Sequence, residues 1–194
     1  MDMKKLLYID ACIRGEVSRT RRIAEAVVGA LAERYEVEKL DLNALELDVV
    51  QKELVEQRIA GNQSEKTLSW ARKVRDADRI VISAPFWDMS FPAALKVFLE
   101  LCSIVDITFT CGEDRCIGNC KAEKMLYITT RGMNFATGDP LEQATPYLKA
   151  ISWLWGIGEL QVVAAHNMDY VSQEAWEEKI QTAIREGLEI AKDF

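Results

Sequence analysis

Apolar residues fall along this chain in two alternating rhythms. Short aliphatic runs at 6–9, 37–42, 79–84, 124–130 and 160–165 have the length and β-branched character of strands. Between them, apolar residues recur at spacings of three and four. Ile23, Val27, Ala30 and Leu31 mark a helix with Ser18 or Thr20 as its cap. Gly61-Asn62-Gln63-Ser64 breaks the chain and caps a helix predicted over 65–77. Pro92 suits a first helical turn, where its missing N–H costs nothing, and a helix follows to about Ile104 with Leu95, Phe98, Leu99 and Cys102 on one face. A polar turn over 131–140 leads into a helix ending near Trp155, and 173–192 reads as the last helix. The segment 43–66 is the least legible; its 45–59 part has helical propensity.

Five short, largely apolar strands alternating with helices predict a parallel sheet covered on both faces. Right-handed crossovers leave two common doubly wound arrangements. Five strands in 194 residues favour the flavodoxin-like order 2-1-3-4-5 over the six-stranded Rossmann order, and no GxGxxG follows the first strand. The expected fold is therefore an α/β three-layer sandwich, one domain over 1–194, without repeats or linkers. Its ligand is expected outside the carboxyl ends of the strands, at the switch between strands 1 and 3.

Composition narrows the function classes. With 49% hydrophobic residues the chain can bury a substantial core, and the net charge of −7 argues against binding nucleic acid or anionic membrane non-specifically. No run approaches a membrane span, and the first ten residues lack the apolar core of a signal peptide, so a soluble cytoplasmic protein without membrane insertion is expected. Against the acidic background, Arg14, Arg19, Arg21 and Arg22 stand out as a cluster in one loop. The five cysteines are Cys12, Cys102, Cys111, Cys116 and Cys120. Three lie in CGEDRCIGNC, where the spacing and the lack of a nearby His argue for free thiols in a turn-rich loop over a zinc or iron–sulfur site. A redox-sensitive disulfide is a third option there, and no metal is expected.

The predicted strand ends carry three ligand-shaped loops. The first, 10–22, ends with Ser18 and Thr20 at a helix N-terminus, where unpaired N–H groups and the helix dipole favour a phosphate. Gly15 permits a tight path, and Arg14, Arg19 or Arg21 can add charge; the bland reading is an ordinary cap with a solvated basic face. Hydroxyls with few glycines suit a monophosphate better than a pyrophosphate. The second loop, Pro85-Phe86-Trp87-Asp88-Met89-Ser90-Phe91, offers Trp87 or Phe86 to a planar ring, with core packing as the competing role for Phe86. Amides near Asp88 and Met89 can meet the ring's polar edge. The third, Thr129-Thr130-Arg131-Gly132-Met133-Asn134, lets backbone approach a ligand at Gly132 and brings Arg131 or Thr130 to a pyrimidine-like edge. Flavin mononucleotide has the matching parts: one phosphate, one flexible chain and one aromatic ring.

On these residues nearly the whole chain resembles the FMN-dependent NADH-azoreductase and NAD(P)H:quinone oxidoreductase family. Ser18-Arg19-Thr20 stands where that family has Ser-x-Ser, and Cys12 replaces an upstream serine near the phosphate. Phe86-Trp87-Asp88-Met89 follows Pro85 as the aromatic loop, with Asp88 in place of the usual Asn. Thr130-Arg131-Gly132-Met133 stands for Ser-Arg-Gly-Gly, with one glycine lost. Phe109-Thr110 matches a segment that approaches the site across a dimer interface and implies substrate contact by Phe109.

The resemblance implies a homodimer with sites at its interface and a ping-pong transfer of two electrons. NADH or NADPH would be the donor, and quinones, azo compounds or nitroaromatics the acceptors. Flavin carries the chemistry, so no side chain is assigned a catalytic role. His166, the only histidine, lies after strand 5, away from the switch point. Two rival readings are a flavodoxin-type electron carrier and a non-catalytic thiol or redox sensor built on Cys111, Cys116 and Cys120.

Overall fold

The computed structural model describes residues 3–194. Its strands are β1 (Lys4–Asp10), β2 (Tyr35–Asp41), β3 (Arg79–Ser83), β4 (Phe109–Cys111), β5 (Cys116–Gly118), β6 (Lys124–Thr130) and β7 (Glu159–Ala165). Its helices are α1 (Arg19–Leu31), α2 (Lys52–Ile59), α3 (Glu65–Asp76), α4 (Ala93–Cys102), α5 (Ala144–Trp155) and α6 (Gln173–Asp193). A five-stranded sheet runs in the order β2-β1-β3-β6-β7, every neighbour parallel. Renumbered without the small β4–β5 hairpin, this is the flavodoxin-like order 2-1-3-4-5.

The pleat sorts alternate side chains to opposite faces. Leu7, Ile9, Ile80, Ile82, Met125 and Tyr127 enter the core beneath α3, α4 and α5. Leu6, Tyr8, Val81, Leu126, Ile128 and Val163 enter the core beneath α1 and α6. Burial on both faces is why the strands read as continuous apolar runs rather than alternating ones.

Serine caps begin three of the helices: Ser18, Ser64 and Ser172 each accept from the backbone N–H three residues on. Pro92 sits one residue before α4. Two sequence-based expectations change. The helix expected over 45–59 begins only at Lys52, because Leu45, Leu47 and Val50 pack onto the core from irregular chain while α2 itself buries no residue. The cysteine segment, expected as a turn-rich loop, forms an antiparallel hairpin, β4–β5. Gly118 presses so closely on the backbone of Trp155 and Gly156 that an added Cβ would overlap it, which fixes the hairpin against the end of α5. Among the described residues no helix is long and apolar enough to cross a membrane.

Candidate active site at the strand ends

Parallel strands that all end on one edge leave their carboxyl-end loops side by side, and the switch between β1 and β3 opens a crevice there. The loops after β1, β3 and β6 meet at this edge. Thr20 Oγ1 and Thr130 Oγ1 lie 2.7 Å apart, and the Phe86 amide donates to Thr130 O at 3.0 Å. Ala11 N donates to Ser83 O and Asn43 Nδ2 to Cys12 O, which pins the first loop to the ends of β2 and β3.

The phosphate-type loop has its hydroxyls in place. Ser18 is the α1 N-cap, its Oγ accepting from Arg21 N at 3.2 Å, and Thr20 is buried in the first turn. The amides of Arg19 and Thr20 have no acceptor among the described residues, so two donors at the positive end of the helix are unpaired. The nearby arginines are mostly committed elsewhere. Arg21 lies under the loop between Asp10 (2.7 Å) and Asp41 (2.7 Å). Arg19 pairs with Asp169 at 2.9 Å and also donates to Met168 O. Arg22 pairs with Glu177, holding that carboxyl at about 2. Arg14 is exposed and makes no ion pair among the described residues, so it is the cation most available to a ligand.

Cys12 lies beneath this loop, not in its opening. Its side chain is fully buried beside Ser83, its amide donates to Asp10 Oδ1, and its carbonyl accepts from Gly15 and Asn43. Burial pushes the thiol up to about 12, so it is protonated at neutral pH and is no nucleophile.

The aromatic loop is a tight hairpin turn. Trp87 and Ser90 exchange both backbone hydrogen bonds, at 3.0 and 2.9 Å. Asp88 (φ 45°) and Met89 (φ 67°) form the two central residues, both left-handed as in a type I′ turn. Neither of their amides has an acceptor among the described residues. The turn leaves Trp87 half exposed, while Phe86 packs edge-on against Phe135 with the Arg131 guanidinium 5.9 Å from its ring centre. The two aromatics thus divide their roles: Phe86 anchors the loop and Trp87 offers a free face. Small clefts open on both sides of this loop. One, about 420 Å³, lies between Phe86, Asp88, Met89, Gly132, Met133 and Asp169. The other lies between Ile13, Trp87 and Phe91.

In the third loop the expected roles separate. Gly132 and Met133 line the cleft, and their amides have no acceptor among the described residues. A Cβ at Gly132 would overlap the Asp169 carboxylate, which would have to shift to admit any other residue. Arg131 does not reach a ligand edge. It is fully buried, donating to Phe135 O (3.0 Å) and Thr137 Oγ1 (3.1 Å) with Glu142 at 3.8 Å, and its own amide and carbonyl are paired. Glu142 in turn accepts from the first amides of α5. Arg131 therefore shapes the loop from below.

Two participants escaped the sequence reading. Asp169, after β7, contacts the loops after β1 and β6, and Phe135 braces Phe86. Only position marks them: both sit just past the end of a predicted strand or its turn. His166 hydrogen-bonds Asn134 at 2.8 Å, and burial, then Lys179 and Arg131, hold its pKa below the ordinary value, so it is neutral at pH 7. Phe109 is half-buried on β4, where it packs against the core beneath α3, α4 and α5.

Comparison with known proteins bears on the fold and the family. The profile of a family described by its flavodoxin-like fold matches residues 4–189. The protein named FMN-dependent NADH:quinone oxidoreductase from Clostridium perfringens is 30% identical over 200 residues, covering 99% of this chain and 100% of that protein. An azoreductase structure from Bacillus anthracis superposes with a TM-score of 0.86 at 20% identity, covering 99% of this chain and 100% of that one. A second, an FMN-dependent NADH-azoreductase from Bacillus anthracis in complex with FMN, gives 0.83 at 21% identity over 98% of this chain and 99% of that one.

Proposed function

This chain belongs to the flavodoxin-like fold family, and we propose that within it the protein is an FMN-dependent oxidoreductase that moves two electrons from NAD(P)H to quinones, azo compounds or nitroaromatics. The observation that carries this reading is the set of unpaired backbone amides on three adjacent loops: Arg19 and Thr20, Asp88 and Met89, Gly132 and Met133. Such a set matches a ligand with an anionic end and a polar-edged ring, and the half-exposed Trp87 supplies an apolar face beside it.

In this reading Ser18, Arg19 and Thr20 hold the phosphate, with Arg14 adding charge. Pro85, Phe86, Trp87, Asp88 and Met89 flank the ring, while Thr130, Gly132 and Met133 bound its other edge. Cys12 and Arg131 position these loops from beneath. When bound, FMN supplies the hydride chemistry in both half-reactions of a ping-pong cycle. The protein's part is to orient the ring and keep one face open to donor and acceptor in turn. His166, neutral and engaged with Asn134, is not required as an acid, since solvent can protonate the product.

The reading includes a homodimer in which Phe109 of one protomer reaches the other's site. It is supported by large exposed apolar side chains on connected elements: Val105, Ile117 and Trp153, the last 73% exposed. The whole chain acts as one domain, and a cytoplasmic setting suits its unpaired thiols.

The test is an anaerobic titration of the FMN-reconstituted protein with NADH and then NADPH, followed by visible absorbance. Bleaching of a bound flavin band, reversed by a quinone, is the expected result. Failure to retain flavin would remove the reading, and a bound flavin that neither nucleotide reduces would favour an electron carrier.

A further inference from the structure

We propose that Cys111 and Cys116 form a reversible intrachain disulfide at the tip of the β4–β5 hairpin, a second redox site that hydrogen peroxide closes and a thiol reductant opens. The proposal stands on the hairpin's register and is independent of the flavin reading.

Cys111 and Cys116 are directly opposed across the antiparallel pair. Gly112 N donates to Arg115 O at 2.9 Å, and Asn119 N to Thr108 O at 3.0 Å. Those bonds mark 112/115 and 108/119 as hydrogen-bonded pairs. Hydrogen-bonded and non-hydrogen-bonded pairs alternate along an antiparallel ladder, so 111/116 is of the non-hydrogen-bonded kind. In such pairs the Cα atoms are about 4.5 Å apart and the side chains lean together on one face. That separation falls inside the window of about 4.4–6.8 Å that a disulfide can bridge without backbone movement. The nearness is felt chemically, since Cys116 is the main influence on the Cys111 thiol and raises its pKa.

The other thiols do not compete. Cys12 and Cys102 are buried in the core, and Cys120 is partly buried, donates to Thr108 O at 3.7 Å and is pushed up by burial to about 12. Cys111 is exposed and Cys116 partly so, which leaves this pair as the one an oxidant reaches. A metal is the less suitable occupant. Two thiols leave a tetrahedral site half made, and among the described residues no three His, Cys, Asp or Glu side chains converge on one point.

The chemistry balances with peroxide as oxidant. One thiolate attacks a peroxide oxygen, becoming a sulfenic acid with release of water. The second thiol attacks that sulfur, the S–S bond forms, and a second water leaves. Two thiols and one peroxide thus give one disulfide and two waters.

The test exposes the reduced full-length protein to stoichiometric hydrogen peroxide, blocks residual thiols, and maps peptides without reduction. The expected product is monomeric in covalent mass, lighter by two hydrogens, with Cys111 linked to Cys116 and restored by dithiothreitol. Cys111→Ser and Cys116→Ser should each abolish that product, and neither position is in the core. A linkage to Cys120, a covalent dimer, or oxygen addition at Cys111 with Cys116 still free would each overturn the proposal, as would unchanged thiols after complete consumption of peroxide.

Discussion

Thr20 and Thr130, 110 residues apart in sequence, share a hydrogen bond of 2.7 Å between their side-chain oxygens, and both are buried. The bond joins the first turn of α1 to the end of β6, so the phosphate-type loop and the loop that carries Gly132 are held in one register.

Thr130→Val keeps the shape and removes the partner. Leaving Thr20 unpaired in a buried place should cost about 1–3 kcal/mol of folding stability. If the same register sets the anion site, FMN affinity should also fall by about tenfold for each 1.4 kcal/mol transmitted. Chemical denaturation and a fluorescence titration with FMN separate the two effects. A stability loss with unchanged affinity would show that the bond serves folding alone.

Gly132 is pinned by Asp169, itself paired with Arg19. Gly132→Ala should lower FMN affinity at least severalfold, because the methyl either displaces the carboxylate or pushes the loop outward, at about 1–3 kcal/mol. Adding Asp169→Ala to the same chain should recover much of the loss, since it removes the atoms the methyl meets. No recovery in the double variant would place the clash with the ligand itself.

Asp88 puts a carboxylate on the turn beside the open amides. Asp88→Asn keeps a residue that tolerates the left-handed region and removes the charge. Electron transfer to a ring next to a carboxylate is opposed by about 1–2 kcal/mol at partly solvated distances. The variant should therefore raise the two-electron midpoint potential of the bound flavin by about 20–45 mV. A potential equal to the parent's within error would mean that the carboxylate points away from the ring.

Acid should loosen the first loop before the core. Burial raises the Asp41 carboxyl, but hydrogen bonds from Asn43 and the charge of Arg21 outweigh it and hold the pKa below the ordinary 3.8. Asp76, hydrogen-bonded by Arg75 and Lys121, is also depressed. A carboxyl with a depressed folded pKa contributes stability that is whole above its unfolded value and is lost as pH falls through the folded one. Urea midpoints should stay level from pH 7 to about 5 and drop below about 4, with a smaller drop in Asp41→Asn. An unchanged drop in that variant would assign it to other carboxylates.

The sheet was legible because strands buried on both faces leave uninterrupted apolar runs, as 79–84 and 124–130 do. The site was legible as loops but less so as atoms. Pro85–Met89 and Ser18–Thr20 announce themselves by residue type, yet nothing in the order of residues tells Phe86 from Trp87. Phe135 and Arg131 make that distinction by bracing the first, and both contacts are tertiary. Arg19, Arg21 and Arg22 looked alike as a basic cluster, but their partners Asp169, Asp41 and Glu177 come from elsewhere in the chain. The segment 43–51 was obscure because it holds the core with scattered Leu45, Leu47 and Val50 rather than with a repeating face. The hairpin of Cys111 and Cys116 was hidden for a similar reason, since its strands are three residues each and none of the six is buried.

The turn at Asp88 and Met89 keeps two non-glycine residues in a backbone region they enter only at some cost, and the paired backbone bonds of Trp87 and Ser90 hold it there. A loop already folded into its working shape loses little chain freedom when a ring docks beside it. Its arrival rate is then set by diffusion and charge rather than by waiting for the loop to order. Glycine at position 89 would relax the strain in the empty protein and return that freedom. The apoprotein so stabilised would be the slower and weaker partner for its ring, which makes this turn a place where folding stability and readiness to bind pull in opposite directions.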